Sequence, residues 1–85
     1  MSESEKQELA KQLEADLLKL YDSPILNLQQ LQRALNFRSI AAVKQAIVRD
    51  SFPVATFLMP NRRNRFALAK DVAVFLAEQA FKKEE

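Results

Sequence analysis

The chain has 85 residues, enough for one hydrophobic core and little more. It contains no His, Cys, Trp or Gly, which removes the usual zinc ligands, the commonest general base, the thiol nucleophile and every glycine-rich phosphate cradle. No enzyme, metal, cofactor or small-molecule substrate is expected, and without disulfides the fold must rest on helix packing or oligomerisation.

The net charge of +2 conceals a partition. Residues 1–22 set Lys6, Lys11 and Lys19 against Glu3, Glu5, Glu8, Glu14, Asp16 and Asp22. Residues 23–65 set Arg33, Arg38, Lys44, Arg49, Arg62, Arg63 and Arg65 against Asp50 alone, and residues 66–85 are close to neutral. A basic segment between acidic flanks is an electrostatic footprint for a polyanion, with a solvated basic face as the competing reading. The first five residues are acidic and polar, the reverse of a secretory or mitochondrial signal, and no apolar run reaches the ~18 residues of a membrane span. A cytoplasmic protein with no membrane attachment is expected.

In chain order, residues 5–21 have helical spacing. Leu9, Leu13, Leu17 and Leu20 form one apolar stripe with Leu18 beside it, a candidate dimerisation surface. Asp22, Ser23 and Pro24 stop that helix. Asn27 is a suitable N-cap for a second helix over residues 28–35, with Leu28, Leu31, Ala34 and Leu35 inward. Asn36, Phe37 and Arg38 make a short turn, and Ser39 caps a third helix over residues 40–49. There Ile40, Val43 and Ile47 are predicted inward, leaving Ser39, Ala41, Ala42, Lys44, Gln45, Val48 and Arg49 outward.

Residues 54–59 are β-branched and aromatic and predict a strand. Pro60, Asn61, Arg62, Arg63 and Asn64 carry turn chemistry, and residues 65–68 return as a second strand, giving a hairpin with an arginine-loaded tip. A closing helix over residues 69–83 is predicted to place Val72, Phe75, Leu76, Gln79 and Ala80 on one face, with Phe81 close by and Lys82 and Lys83 in its last turn.

The order is helix, helix-turn-helix, hairpin, helix: a mainly α fold with a small β-hairpin. It reads as a winged helix-turn-helix over residues 23–85 with an extra N-terminal helix over residues 1–22. In such a plan the third helix enters the major groove of double-stranded DNA. Ser39 and the first backbone N–H groups suit a phosphate, and Ala41 and Ala42 allow close approach or contact with a thymine methyl. Gln45 suits adenine, while Lys44 and Arg49 suit guanine or phosphate. Val48 reads as apolar filler, and solvation competes almost evenly for Gln45. Arg38 is a candidate phosphate clamp, and Asn61, Arg62, Arg63, Asn64 and Arg65 form a candidate wing for backbone or minor-groove contact. The three wing arginines repel one another, and a polyanion relieves that repulsion.

Five segments carry a family resemblance: residues 31–35 (LQRAL), 39–43 (SIAAV), 50–54 (DSFPV), 61–66 (NRRNRF) and 70–76 (KDVAVFL). In this order and spacing the chain resembles the excisionase and AlpA-like branch of the MerR-like winged-helix superfamily, and it is also similar to small regulators of the pyocin-activator type. Where that family usually has Gly, this chain has Asp50 or Ser51 before the link to Pro53, and Asn61 and Asn64 in the wing. Asn tolerates the left-handed backbone at modest cost. The resemblance implies a prokaryotic or phage, nucleoid-associated, sequence-specific DNA-binding protein of a mobile genetic element. It would act as a transcription regulator or as an excisionase (a recombination directionality factor). A homodimer or cooperative oligomer on DNA is expected because a winged helix of this size binds DNA weakly as a lone module, and an integrase or RNA polymerase is a further candidate partner. The alternative is a protein-interaction adaptor that uses the leucine stripe of the first helix.

Overall fold

The computed structural model describes residues 3–82, which form four helices and a three-stranded antiparallel sheet. In chain order these are α1 (Glu3–Tyr21), β1 (Ile25–Leu26), α2 (Leu28–Ala34), α3 (Ile40–Val48), β2 (Phe57–Leu58), β3 (Arg65–Leu68) and α4 (Ala69–Lys82). Lys83, expected in the last turn of the closing helix, lies outside the described residues. Among the described residues no helix is long and apolar enough to cross a membrane.

The helix ends explain how a chain without glycine turns so tightly. Asp22, Asn36, Asp50 and Asn61 adopt left-handed φ angles of 58°, 61°, 59° and 64°. Asn and Asp visit this region more readily than other side chains because their short polar groups can bond locally. After α1, the Asp22 amide donates to the Leu18 carbonyl at 2.8 Å, a single left-handed cap. After α2, Phe37 N–H donates to Gln32 and Asn36 N–H to Arg33. After α3, Ser51 N–H donates to Ala46 and Asp50 N–H to Ile47. Both are paired Schellman caps. The expected substitutions for glycine are thus realised at Asp50 and Asn61, but not at Asn64 or Ser51.

The N-caps lie where the sequence places them. Asn27 Oδ1 accepts from Gln30 N–H at 2.8 Å while Gln30 Oε1 accepts from Asn27 N–H at 2.9 Å, a reciprocal capping box. Ser39 Oγ accepts from Ala42 N–H at 3.0 Å.

One apolar cluster joins every layer. It contains Leu17 of α1, Leu26 of β1, Leu28 and Leu31 of α2, Val43 of α3, Ala67 of β3, and Ala69, Val72 and Ala73 of α4. No break in packing follows residue 22, because Leu17 belongs to the same core as Val43. The pairing of α1 with α4 is the most extensive in the molecule. Ala69, Ala73 and Ala77, four residues apart, make a buried stripe of small side chains on α4 beside Val72. The inward face of α4 is thus rotated from the predicted one: Gln79 and Ala80 are exposed, and Phe75 is only half-buried. The buried face of α1 is rotated likewise. Leu17 is buried, Leu13, Leu18 and Tyr21 pack beside the core, and Leu20 is 70% exposed.

The sheet differs most from expectation. The strand predicted over residues 54–59 is reduced to Phe57–Leu58, and β1 was not foreseen. β3 lies centrally, pairing Ile25 with Leu68 and Leu26 with Ala67 on one edge, and Phe57 with Phe66 and Leu58 with Arg65 on the other. This pairing holds the start of α2 beside the hairpin.

Candidate nucleic-acid interface

The hairpin tip is a tight turn with a defined cause. Arg62 N–H donates to the Met59 carbonyl at 3.2 Å across Pro60 and Asn61. Proline at the second position and a left-handed residue at the third are the type II pattern. Arg62, Arg63 and Asn64 follow this turn and are exposed.

The tip, α3 and the start of α2 enclose a groove of about 530 Å³. Asn61, Arg62, Arg63 and Asn64 line it from the tip, Ile40 and Lys44 from α3, and Asn27 and Gln29 from α2. No carboxylate lines it, and none of Lys44, Arg62 or Arg63 has an ion-pair partner among the described residues. Asp50, the one acid of the basic segment, lies on a different cleft, with Thr56 and Arg65. The groove is therefore a one-signed surface with amide donors and acceptors interleaved, suited chemically to a backbone of phosphates.

Two expected residues are placed differently. Arg65 leaves the tip: it is half-buried in β3, donating from Nε to Thr56 Oγ1 at 2.7 Å and from a terminal nitrogen to the Thr56 carbonyl at 2.9 Å. It anchors the approach to β2, and the exposed cations of the β2–β3 tip are Arg62 and Arg63. Ile40, predicted inward, is 38% exposed and forms part of the groove wall, so Val43 is the buried residue of α3, with Ile47 half-buried beside the core.

The remaining predicted residues lie along α3. Ala41, Lys44, Gln45, Val48 and Arg49 are exposed, while Ser39 and Ala42 are half-buried at the cap. Arg38 is exposed in the turn before α3. That turn is held by Gln32 Nε2 donating to the Phe37 carbonyl at 2.6 Å, and by the Phe37 and Phe52 rings, whose centroids are 5.5 Å apart. Of the candidate dimerisation residues, Leu17 is buried in the core, Leu9 and Leu13 are half-buried, and Leu20 faces solvent.

Asn27 and Gln29 joined the groove without any local sequence signal. They stand beside the wing because β1 pairs with β3, a long-range contact that no periodicity in residues 23–27 announces. No family model, curated protein or solved structure matches the chain. The site is accordingly read from its own geometry.

Proposed function

We propose that the protein binds double-stranded DNA as a winged helix-turn-helix module, with α3 in the major groove and the β2–β3 tip on the neighbouring backbone or minor groove. It serves as a small transcription regulator or excision factor of a mobile element. The supporting observation is the groove that joins Lys44 of α3 to Arg62 and Arg63 of the tip with no carboxylate present. Cations gathered this way repel one another in the free protein, and a polyanion offsets that repulsion by releasing its own counterions. The element order and the family resemblance favour the same reading. The adaptor alternative has less to support it, because α1 packs against α4 and its Leu17 is already buried.

Fluorescence anisotropy with a labelled duplex of mixed sequence tests the proposal. Binding is expected to weaken steeply with salt, the slope of log K against log salt changing by about 0.9 for each phosphate contacted. Replacing Arg62 and Arg63 together by Ala is expected to lower affinity about tenfold and to reduce that slope by about two. Unchanged affinity and slope in the double variant would remove the wing from the interface.

A further inference from the structure

The solvent face of α3 is apolar at its centre. At about 100° per residue, the buried Val43 and the half-buried Ala42, Ala46 and Ile47 mark the inner side, and Ala41 and Val48, seven residues apart, lie within about 20° of each other opposite them. Lys44 flanks this pair toward the groove and Gln45 flanks it on the other side. Val48 is 85% exposed, the most exposed large hydrophobic side chain among the described residues. A lone surface valine needs no explanation. This one shares the centre of a helix face with Ala41, and the rim of that face is Lys44, Gln45 and Arg49, with no acidic residue in α3.

In the major groove, thymine is the base that offers an apolar edge, its C5-methyl, and adenine is the base whose N6 and N7 pair with a glutamine amide. The centre and rim of α3 therefore match the two members of one base pair. Seven residues of helix span about 10.5 Å, or about three base-pair steps of about 3.4 Å, so Ala41 and Val48 can meet methyls on separate pairs. The exposed Arg62 and Arg63 suit the same composition, because narrow A·T minor grooves attract arginine.

We infer that the α3 face selects A·T-rich DNA, with Val48 and Ala41 seated against thymine methyl groups and Gln45 paired with adenine. This rests on the DNA-binding reading above and makes Val48 a specificity-determining residue.

The experiment uses the full chain and three probes: an alternating A·T duplex, the same duplex with every thymine replaced by uracil, and an alternating G·C duplex. Losing a buried methyl is expected to weaken binding about fourfold, so two contacted methyls give tenfold or more between the thymine and uracil duplexes. The G·C duplex is expected to bind most weakly. Val48→Asn should reduce the thymine-to-uracil ratio to about fourfold or less. Arg62→Ala should weaken both duplexes and preserve the ratio. Circular dichroism and sedimentation of Val48→Asn should match the parent protein.

Equal affinity for the thymine and uracil duplexes overturns the inference while leaving DNA binding intact. Absence of binding to all three duplexes overturns the DNA-binding reading itself. A ratio unaffected by Val48→Asn removes Val48 from the contact. A dimer that disperses in Val48→Asn, with binding lost on every duplex, assigns the residue to a second copy of the chain and overturns its role at the base edge.

Discussion

The layer formed by α1 and α4 carries lysines alone, whereas the face formed by α3 and the β2–β3 tip carries arginines together with Lys44. The arginines of the chain, Arg33, Arg38, Arg49, Arg62, Arg63 and Arg65, all fall in one central segment, whereas α1 and α4 carry Lys6, Lys11, Lys19, Lys70 and Lys82. The lysines are mixed with carboxylates, as where Lys6 stands 3.6 Å from Glu3. Arg62, Arg63 and Lys44 have no such neighbour on their groove. A lysine ammonium is a compact, strongly hydrated charge, while the planar guanidinium fork matches phosphate and guanine. The α1–α4 layer covers Leu17, Val72, Ala73 and Ala77 while leaving Leu20 and Val74 outward, and α3 turns Val48 outward. One side of the molecule mixes both signs of charge around a buried seam, and the other keeps cations on a groove with no carboxylate.

The largest effects belong to the α1–α4 side. Leu17→Ala is expected to lower stability by about 2–5 kcal/mol, because it removes a side chain from the core shared by all layers. In a domain of this size that lowers Tm by roughly 10 °C or more. Leu20→Ala, three residues along the same stripe but 70% exposed, should stay within about 0.5 kcal/mol. Thermal unfolding followed by circular dichroism decides the matter, and equal losses in the two variants would mean that α1 is not seated on α4.

Two neighbouring arginines sharpen the contrast at smaller amplitude. Arg65→Ala withdraws both donors from Thr56 and is expected to cost about 1.5 kcal/mol, the lower end for charged hydrogen bonds because the group is only half-buried. It should leave the salt dependence of duplex binding as it was. Arg63→Ala should do the reverse, keeping stability within about 0.5 kcal/mol and lowering the salt slope by about one. Thermal melts and salt titrations on both variants read the difference. A slope that falls in Arg65→Ala would return that residue to the binding surface.

How much of this was legible follows the range of the interactions. The two N-caps, the turn at Asn36 and the hairpin tip were readable because each depends on residues within about five positions of itself. β1 was not: it is two residues long, follows a proline, and exists because β3 has a second edge to satisfy. β2 shrank because Pro53 and Pro60 bracket it and it pairs only with β3. The strand position of Arg65 was legible, but its side-chain partner Thr56, nine residues away, was not. Opposite Leu58, Arg65 turns its side chain toward Thr56. On α4, the larger Phe75 and Phe81 drew attention from Ala73 and Ala77, yet the approach of α1 favours small side chains. Within the candidate site, the α3 and wing contributions were visible and the α2 contribution was not.

An effect of about 1 kcal/mol or less is expected at Asn36, and it separates backbone cost from site chemistry. Asn36 has φ 61° at the centre of the paired cap that ends α2, and the same turn sets where α3 begins. A left-handed L-residue costs about 1–2 kcal/mol, less for Asn, and glycine removes that cost while adding freedom to the unfolded chain. Asn36→Gly should therefore gain about 0.5 kcal/mol, and Asn36→Ala should lose about 1 kcal/mol. Neither change touches the groove, so duplex affinity measured well below Tm should equal that of the parent in both. If Asn36→Gly instead weakens binding while raising Tm, the asparagine side chain itself contributes to the interface. The open face would then extend from α3 back across the turn to the end of α2, where Arg33 and Arg38 are both exposed.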